Sequence, residues 1–211
     1  MNGNRVRSGP EDFDIDAREA QVVGNPRIGP LAAEEFTDEA RKLVEETFAQ
    51  FGAIDKSDIP VIFGTMFKHP GLYRTQMQLG VELSSNGFIP SRERELAVLR
   101  VAWLSRAPFE WGEHVVYGKK SGLSDQDVER VTLGSDVPGW SEHDRAVMRA
   151  VEELMGDYAI SNETWDILAK SWTEAQLMEL PGVVGAYIMA ALIYNTIRFD
   201  LLEGNSGLRR R

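Results

Sequence analysis

The sequence predicts an all-α helical bundle, and three observations support this fold class. Apolar residues recur at three- and four-residue spacing from Thr37 onward, which is the period of an amphipathic helix. Residues that favour helix starts precede these segments, and glycines follow several of them. No segment shows the apolar-polar alternation between hairpin turns that is typical of a half-buried strand. We therefore expect one domain built from helices.

The elements follow in order along the chain. Residues 1–30 are polar, contain three prolines and lack a helical period, so we expect an extended N-terminal arm. Residues 31–205 should form the helical domain, and the arginine-rich residues 206–211 a flexible basic tail. Within the domain the predicted helix starts are Thr37, Pro60, Pro70, Ser91, Pro108, Ser124, Ser141, Ser161 or Asn162, and Thr173. The last of these helices should run to about Arg198.

Composition excludes several classes of partner. The net charge of -10 disfavours a phosphate backbone, so we expect no nucleic-acid partner. No apolar run suggests a membrane span, and the start of the chain has no apolar core like that of a signal sequence. We therefore expect a cytoplasmic protein. The absence of cysteine excludes disulfides, thiolate nucleophiles and cysteine-bound zinc.

Three titratable residues should meet on two neighbouring helices. The helices that start at Ser91 and Pro108 are joined by a very short link, and such connections normally make helices antiparallel. Glu95 and His114 would then be offset by only about 6 Å along the helix axes. Glu110 lies four residues before His114 and so shares its helix face. A buried carboxylate-imidazole set of this kind is suited to moving protons.

The same spacing leaves other interpretations open. A Glu-His pair four residues apart is common on solvated helix faces, and Glu95 could instead pair with Arg92 or Arg100. Two glutamates and a histidine could bind iron, manganese or zinc. The di-metal helical bundles, however, use Glu-x-x-His on two helices, one residue closer than Glu110 and His114. A non-catalytic oligomeric binding protein with a buried structural network is a further alternative. We expect neither a metal nor an organic cofactor.

Other residues are candidates for binding a substrate. Trp103 and Trp111 flank the three titratable residues and could form the wall of an apolar pocket, although core packing is the commoner role of tryptophan in such helices. Arg100 could hold a substrate carboxylate. Phe63 could line the same pocket, and Tyr187 could present a hydroxyl group.

Two stretches of the chain resemble a known family. IPVIFGTMFKHPGLY, followed by IPSRERELAVLRVAWLSRAPFEWGEHVVYGKKSGLSDQDV, is similar to the carboxymuconolactone decarboxylase-like proteins, which include the alkyl hydroperoxidase D group. The likeness extends from about Leu31 to Leu202, and its specific part is RERELAVLRVAWL, EWGEHV and GLSDQDV in this order. The resemblance implies a helical bundle that assembles as a trimer or hexamer.

The resemblance also implies which chemistry this chain has lost. In the peroxidase branch a Cys-x-x-Cys pair works with a histidine four residues later and a glutamate nineteen residues before that histidine. His114 and Glu95 occupy these last two positions, but Ala107 and Glu110 stand where the cysteines would be. Without a thiolate, peroxide reduction is excluded.

The decarboxylase branch implies proton transfer without a cofactor on a small organic acid or lactone. We expect His114 to be the acid or base, Glu95 to orient it and Glu110 to carry a second proton. Decarboxylation during the breakdown of aromatic compounds is the preferred reaction, while isomerisation and elimination would use the same groups. The alternatives are a metal-dependent enzyme and a non-catalytic oligomeric binding protein of the same fold.

Overall fold

The computed structural model describes residues 13–51 and 61–211 of the chain. Within these ranges the backbone forms ten α-helices, two short 3-10 helices and no β-strand, which confirms the predicted fold class. The α-helices are α1 (Ile15–Val22), α2 (Asp38–Phe51), α3 (Val61–Met66), α4 (Pro70–Ser85), α5 (Ser91–Leu104), α6 (Pro108–Lys120), α7 (Asp125–Leu133), α8 (Glu142–Asp157), α9 (Asn162–Leu168) and α10 (Glu174–Ile197). The 3-10 helices are Ala33–Glu35 and Gly207–Arg209.

Most predicted helix starts are confirmed by hydrogen bonds from the helix backbone to the capping side chain. The capping hydroxyl groups that accept from the backbone N–H three residues later are those of Thr37, Ser124, Ser141, Ser161 and Thr173. The cap at Ser91 is wrong, because Pro90 precedes the helix, Ser91 is its first residue, and no side chain caps it. The predicted start at Pro60 lies outside the described residues.

Helix α5 occupies the centre of the bundle and is surrounded by α6, α7, α8 and α10. Every residue from Arg94 to Trp103 is buried. A helix enclosed in this way has no solvent face where charges could be hydrated. The charged residues of this stretch, Arg94, Glu95 and Arg100, therefore need partners inside the protein.

The predicted register of α5 and α6 is confirmed at their closest approach. A Cβ atom added at Gly118 would lie 3.8 Å from the Cβ of Glu95 and 3.2 Å from a methyl group of Leu99. Only three residues separate the two helices, and the middle one, Arg106, has a left-handed φ of 49° that turns the chain. The tight turn holds the two helices of the predicted site in a fixed register.

The prediction of an extended N-terminal arm is wrong for its described part. Residues Ile15–Val22 form α1, whose start is capped by Asp14 through a 3.0 Å hydrogen bond from Ala17 N. Phe13 packs against Trp103 at 5.3 Å between ring centroids, and Val22 is buried. Sequence analysis missed this helix because only a few widely spaced apolar residues attach it to the core. Residues 1–12 lie outside the described residues.

The prediction of a flexible basic tail is also wrong. Leu208 is fully buried, and the indole N–H of Trp111 donates to the backbone oxygen of Arg210 over 2.9 Å. Arg209 forms ion pairs with Glu19 and Asp16. The acidic surface of the protein attracts these arginines, while Leu208 supplies the apolar contact. The boundaries predicted for the domain itself stay a prediction.

Helix α10 is more apolar than any segment that we expected, because the sequence suggested no apolar run long enough to cross a membrane. By length and composition it could cross a membrane, with a mean hydropathy of 1.6 in its most apolar stretch, of which 33% is buried inside the chain. In the described fold it packs on α5, α4 and α8, and core helices of soluble proteins pass the same test. One such helix is weak evidence for a membrane span. Its exposed apolar side chains include Met178 and Leu192. The homo-oligomer, trimer or hexamer, stays a prediction.

Candidate active site

The three titratable residues predicted to converge do lie together. Nδ1 of His114 is 2.7 Å from Oε2 of Glu95, and Nε2 of the same ring is 3.4 Å from Oε2 of Glu110. The side chains of Glu95, Glu110 and His114 are only 6%, 8% and 11% exposed. The imidazole is thus held between two buried carboxylates. We refer to these three residues as the triad.

The triad follows from the geometry of two helices. Glu95 lies on helix α5, which is enclosed by other helices, so its carboxylate is shielded from bulk water. Glu110 and His114 are one turn apart on α6 and therefore share a face. The antiparallel register brings this face to the level of Glu95, as the position of Gly118 shows. Each side chain reaches its partner because the backbone positions are fixed by packing.

His114 is protonated at neutral pH in this setting. Burial disfavours the charged imidazolium and works to lower its pKa. Hydrogen bonds to Glu110 and Glu95, together with the negative charges of both, outweigh burial and raise the pKa of His114 to about 9. At neutral pH the ring therefore keeps a proton that a histidine of ordinary pKa would mostly have lost.

Two tyrosine rings lie against the imidazole of His114. The ring of Tyr187 on α10 is 4.8 Å away between centroids and nearly perpendicular, and the ring of Tyr117 is 5.4 Å away. Burial, followed by the charges of Glu110 and Glu95, raises the pKa of Tyr187 well above its ordinary value. Its hydroxyl group is therefore a permanent hydrogen-bond donor at physiological pH. The structure thus brings the predicted residue Tyr187 next to the triad.

Sequence analysis missed Tyr117 and Arg94. Tyr117 lies seven residues after Glu110 on the same face of α6, and this spacing could have revealed it. Arg94 immediately precedes Glu95, and its Nε lies 3.6 Å from Oε1 of that glutamate. Among the described residues the buried Nε of Arg94 has no hydrogen-bond partner. Arg94 is therefore the positive charge nearest the triad that still has hydrogen-bonding capacity.

Arg100, predicted to bind substrate, lies elsewhere and has a different role. Its guanidinium forms a 2.7 Å ion pair with Glu152 on α8 and donates to the backbone oxygen of Val131 over 2.7 Å. Its side chain is 1% exposed. Arg100 lies five residues after Glu95, and residues at this spacing lie on different faces of a helix. Its side chain therefore points toward α7 and α8 rather than toward α6. The prediction is corrected: Arg100 ties the central helix to its neighbours.

The predicted aromatic wall of the pocket is part of the core instead. Trp103 and Trp111 pack against each other at 4.9 Å between centroids, and the guanidinium of Arg211 lies over both rings. Trp111 is completely buried. Their contacts are with Phe13 and the C-terminal segment, so the commoner role of tryptophan, core packing, applies to both. Among the described residues, no hydrogen bond or ring contact joins either indole to the triad.

Phe63 belongs to a second apolar cluster beside the site. It packs edge-on against Tyr73 at 6.4 Å between centroids, in a cluster that also includes Tyr194. Burial, then the charge of Glu110, raises the pKa of Tyr194, so this cluster reaches close to the triad. Phe63 itself is therefore separated from the triad by other aromatic side chains.

Two of the open cavities in the described part of the chain are lined by residues other than the triad. One of about 380 Å³ lies between α1 and α10, and another of about 340 Å³ lies beside α4. The triad itself is tightly packed, although the side chain of His114 keeps 11% of its surface exposed. Of the two tyrosines whose rings contact His114, Tyr117 is the more exposed, at 48%.

The donor set does not favour a metal in the triad as it is arranged. Both ring nitrogens of His114 face carboxylate oxygens, so a glutamate already engages each of them. In the described part of the chain, no group of three or more histidine, aspartate or glutamate side chains has a metal-binding arrangement. Metal analysis of the purified protein remains the direct measurement for the metal-dependent alternative.

The comparison with protein families identifies the segment that carries the triad. The model of the carboxymuconolactone decarboxylase family matches residues 70–153, which include Glu95, Glu110 and His114. This segment is similar to the carboxymuconolactone decarboxylase family. The match covers less than half of the 211 residues, and it confirms the resemblance predicted from the sequence. No functionally curated protein matches the chain.

Solved structures extend the likeness to most of the fold. An alkylhydroperoxidase AhpD core protein from Ralstonia eutropha JMP134, described as an uncharacterized peroxidase-related protein, superimposes with a TM-score of 0.65. It is 14% identical, and the alignment covers 85% of this chain and 98% of the other. The debrominase Bmp8, solved with 2,3,4-tribromopyrrole, gives a TM-score of 0.65 at 12% identity, covering 87% and 95% of the two chains.

A third structure, of a protein of unknown function from Agrobacterium tumefaciens, gives a TM-score of 0.56 at 20% identity, covering 63% of this chain and 92% of the other. At these identities the comparisons show a shared fold. The fold is thus the alkyl hydroperoxidase D-like helical bundle, as predicted.

Proposed function

We propose that the protein is an enzyme that transfers protons on a small organic acid or lactone without a cofactor, with decarboxylation as the preferred reaction. The observation that carries the proposal is the position of the His114 imidazole between two buried carboxylates, which raise its pKa to about 9. An acid of this kind is useful only if it is placed at a substrate atom that gains a proton during the reaction. The similarity of the matched segment to the decarboxylase family supports the reaction class.

The proposed reaction is the loss of carbon dioxide from the substrate, followed by protonation of the carbon that carried it. The bond between the substrate carbon and its carboxylate breaks, its electron pair passes into the neighbouring carbonyl system, and carbon dioxide leaves. His114 then donates its proton to that carbon, which completes a new C–H bond. Glu95 holds the ring in place through the 2.7 Å contact at Nδ1, and Glu110 returns a proton to the ring from solvent. Isomerisation and elimination would use the same groups, but they would begin with the transfer of a substrate proton to the neutral ring of His114.

Arg94 replaces Arg100 as the proposed binding residue for the substrate carboxylate. Its side chain is 10% exposed, lies next to Glu95 and has an unused buried N–H group. An arginine can bind a carboxylate through two parallel hydrogen bonds. The hydroxyl group of Tyr187, which lies beside His114, is a second donor for a substrate carbonyl oxygen. The small organic acid is thus proposed to lie between α5, α6 and α10.

The pH dependence of the rate tests the proposed acid. We expect kcat/KM, measured for a panel of lactone carboxylates and keto acids, to be constant near neutral pH and to fall as the pH rises through about 9. The sign follows because only the imidazolium form of His114 can donate, and deprotonation above its raised pKa removes that form. A rate that instead increases through this range would show that His114 acts as a base.

A matched pair of arginine variants tests the binding role. We expect Arg94→Gln to raise KM by roughly 10- to 100-fold, with a smaller change in kcat. This change in KM corresponds to the loss of one hydrogen bond to a charged group, which contributes about 1.5–3 kcal/mol to binding. Arg92→Gln is the control, because Arg92 lies on the same helix but pairs with Asp144 on α8. Equal effects of the two variants would contradict a specific role for Arg94.

A non-catalytic binding protein is the second candidate function. The observation that favours it is the tight packing of the triad, which lines neither of the two cavities described above. In that case the three side chains would only stabilise the contact between α5 and α6. Absence of turnover across the substrate panel, together with a large loss of stability in His114 variants, would favour this function.

A further inference from the structure

The larger cavity has an unusual lining for so acidic a protein. It lies between α1, the end of α5 and the C-terminal half of α10, and it has a volume of about 380 Å³. Arg18 and Arg27 line it together with the amides of Gln21 and Asn195. The apolar side chains that line it are those of Val22, Ile188, Ala191 and Leu192. We refer to it as the arginine cavity.

Within the described part of the chain, Arg18 donates its hydrogen bonds to neutral oxygen atoms. Its guanidinium donates to the backbone oxygen of Arg106 at 3.0 Å, to that of Ser105 at 3.4 Å and to the side-chain oxygen of Gln21 at 2.9 Å. Partial burial, followed by the positive charge of Arg106, lowers the pKa of Arg18. The guanidinium is therefore held in place, but its charge is not balanced by a carboxylate.

The described lining of the cavity carries positive charge only. Of the residues that the structure describes, no aspartate or glutamate lines it. Arg27 forms no ion pair within the described ranges, whereas arginines such as Arg92, Arg149 and Arg209 all pair with acidic side chains. In a chain with a net charge of -10, two uncompensated arginines at one concave site create a local positive field.

We propose that the arginine cavity binds a small organic anion, whose acidic group pairs with Arg18 and Arg27 and whose apolar body packs on α10. The volume lies within the range of about 300–1,000 Å³ that is usual for small-molecule sites. The mixture of an apolar wall, two cations and two amides fits a carboxylate with an attached ring or short chain better than an inorganic ion. This site is separate from the triad and does not depend on the proposed reaction.

Calorimetric titration with benzoate tests the proposal. We expect saturable binding to the wild-type protein, and affinity at least about tenfold lower in Arg27→Gln, since one charged hydrogen bond is lost. Benzyl alcohol, which has the ring but no charge, and inorganic phosphate, which has the charge but no ring, should both bind more weakly. Arg27→Gln is the decisive variant, because Arg18 also holds α1 against the loop after α5 and its loss could affect folding.

Two controls separate this site from the triad and from the general surface. Arg94→Gln, which alters the triad site, should leave benzoate binding to the arginine cavity unchanged. Arg149→Gln removes a surface arginine on α8 and should have no effect either. The proposal is overturned if the wild-type protein shows no saturable binding, if Arg27→Gln binds as tightly as wild type, if Arg94→Gln alone abolishes binding, or if benzyl alcohol binds equally well.

Discussion

Replacing His114 with asparagine should lower kcat/KM for the acidic substrate by at least about 100-fold, the lower end of what general acid-base catalysis contributes. The amide of asparagine can still donate a hydrogen bond to Glu95, which lies 2.7 Å from Nδ1 of the native ring. It cannot, however, release a proton to a substrate carbon. The steady-state rates of the purified variant and wild type on the same substrate measure the effect.

A histidine outside the triad provides the matched control for this substitution. His69 caps α4 by accepting a 3.2 Å hydrogen bond from Leu72 N, and asparagine is also a good helix cap. We expect His69→Asn to retain wild-type kcat/KM. If His114→Asn folds normally and turns over substrate at the wild-type rate, His114 is not the acid and the proposed function fails.

Replacing Arg100 with methionine should lower the free energy of unfolding by about 3–5 kcal/mol, since it leaves a buried carboxylate without its cation. Glu152 would keep hydrogen bonds from the N–H and hydroxyl groups of Ser135, but not the ion pair. Urea denaturation measures the change. Arg149→Met on α8 is the control, because its pair with the exposed Asp136 should contribute at most about 1 kcal/mol.

A second variant shows whether the unbalanced charge causes this loss. Adding Glu152→Gln to Arg100→Met removes the buried negative charge but leaves an oxygen that can accept from Ser135. The double variant should therefore regain part of the lost stability. A large loss of substrate affinity in a folded Arg100→Met protein would contradict the purely structural role and restore the original substrate-binding prediction.

Sequence spacing could predict the convergence of the triad because the necessary geometry is local. Glu110 and His114 are one helical turn apart, and the short link to α5 sets the position of Glu95. Helix starts such as Ser124 and Thr173 are local in the same sense, since each cap bonds to a backbone group three residues away. The roles proposed for the triad stay predictions until activity is measured.

Long-range contacts could not be predicted in this way. The choice between Arg94 and Arg100 depends on which helices surround α5: α8 supplies Glu152 for Arg100, and Arg94 remains near the triad. Trp111 donates to Arg210, almost a hundred residues later in the chain. Neither contact leaves a periodic signal in the sequence.

By itself the sequence determined the helical fold, the absence of thiol chemistry and the pairing of Glu95, Glu110 and His114, because helix period, composition and short links act over few residues. Only the tertiary structure decided that Arg94 is the cation beside the triad and that Trp103 and Trp111 belong to the core. It also decided that the described terminal segments, α1 and residues 207–211, pack on the bundle. Those outcomes depend on which segments, far apart in the sequence, pack together and exclude water. That packing is a property of the whole folded chain.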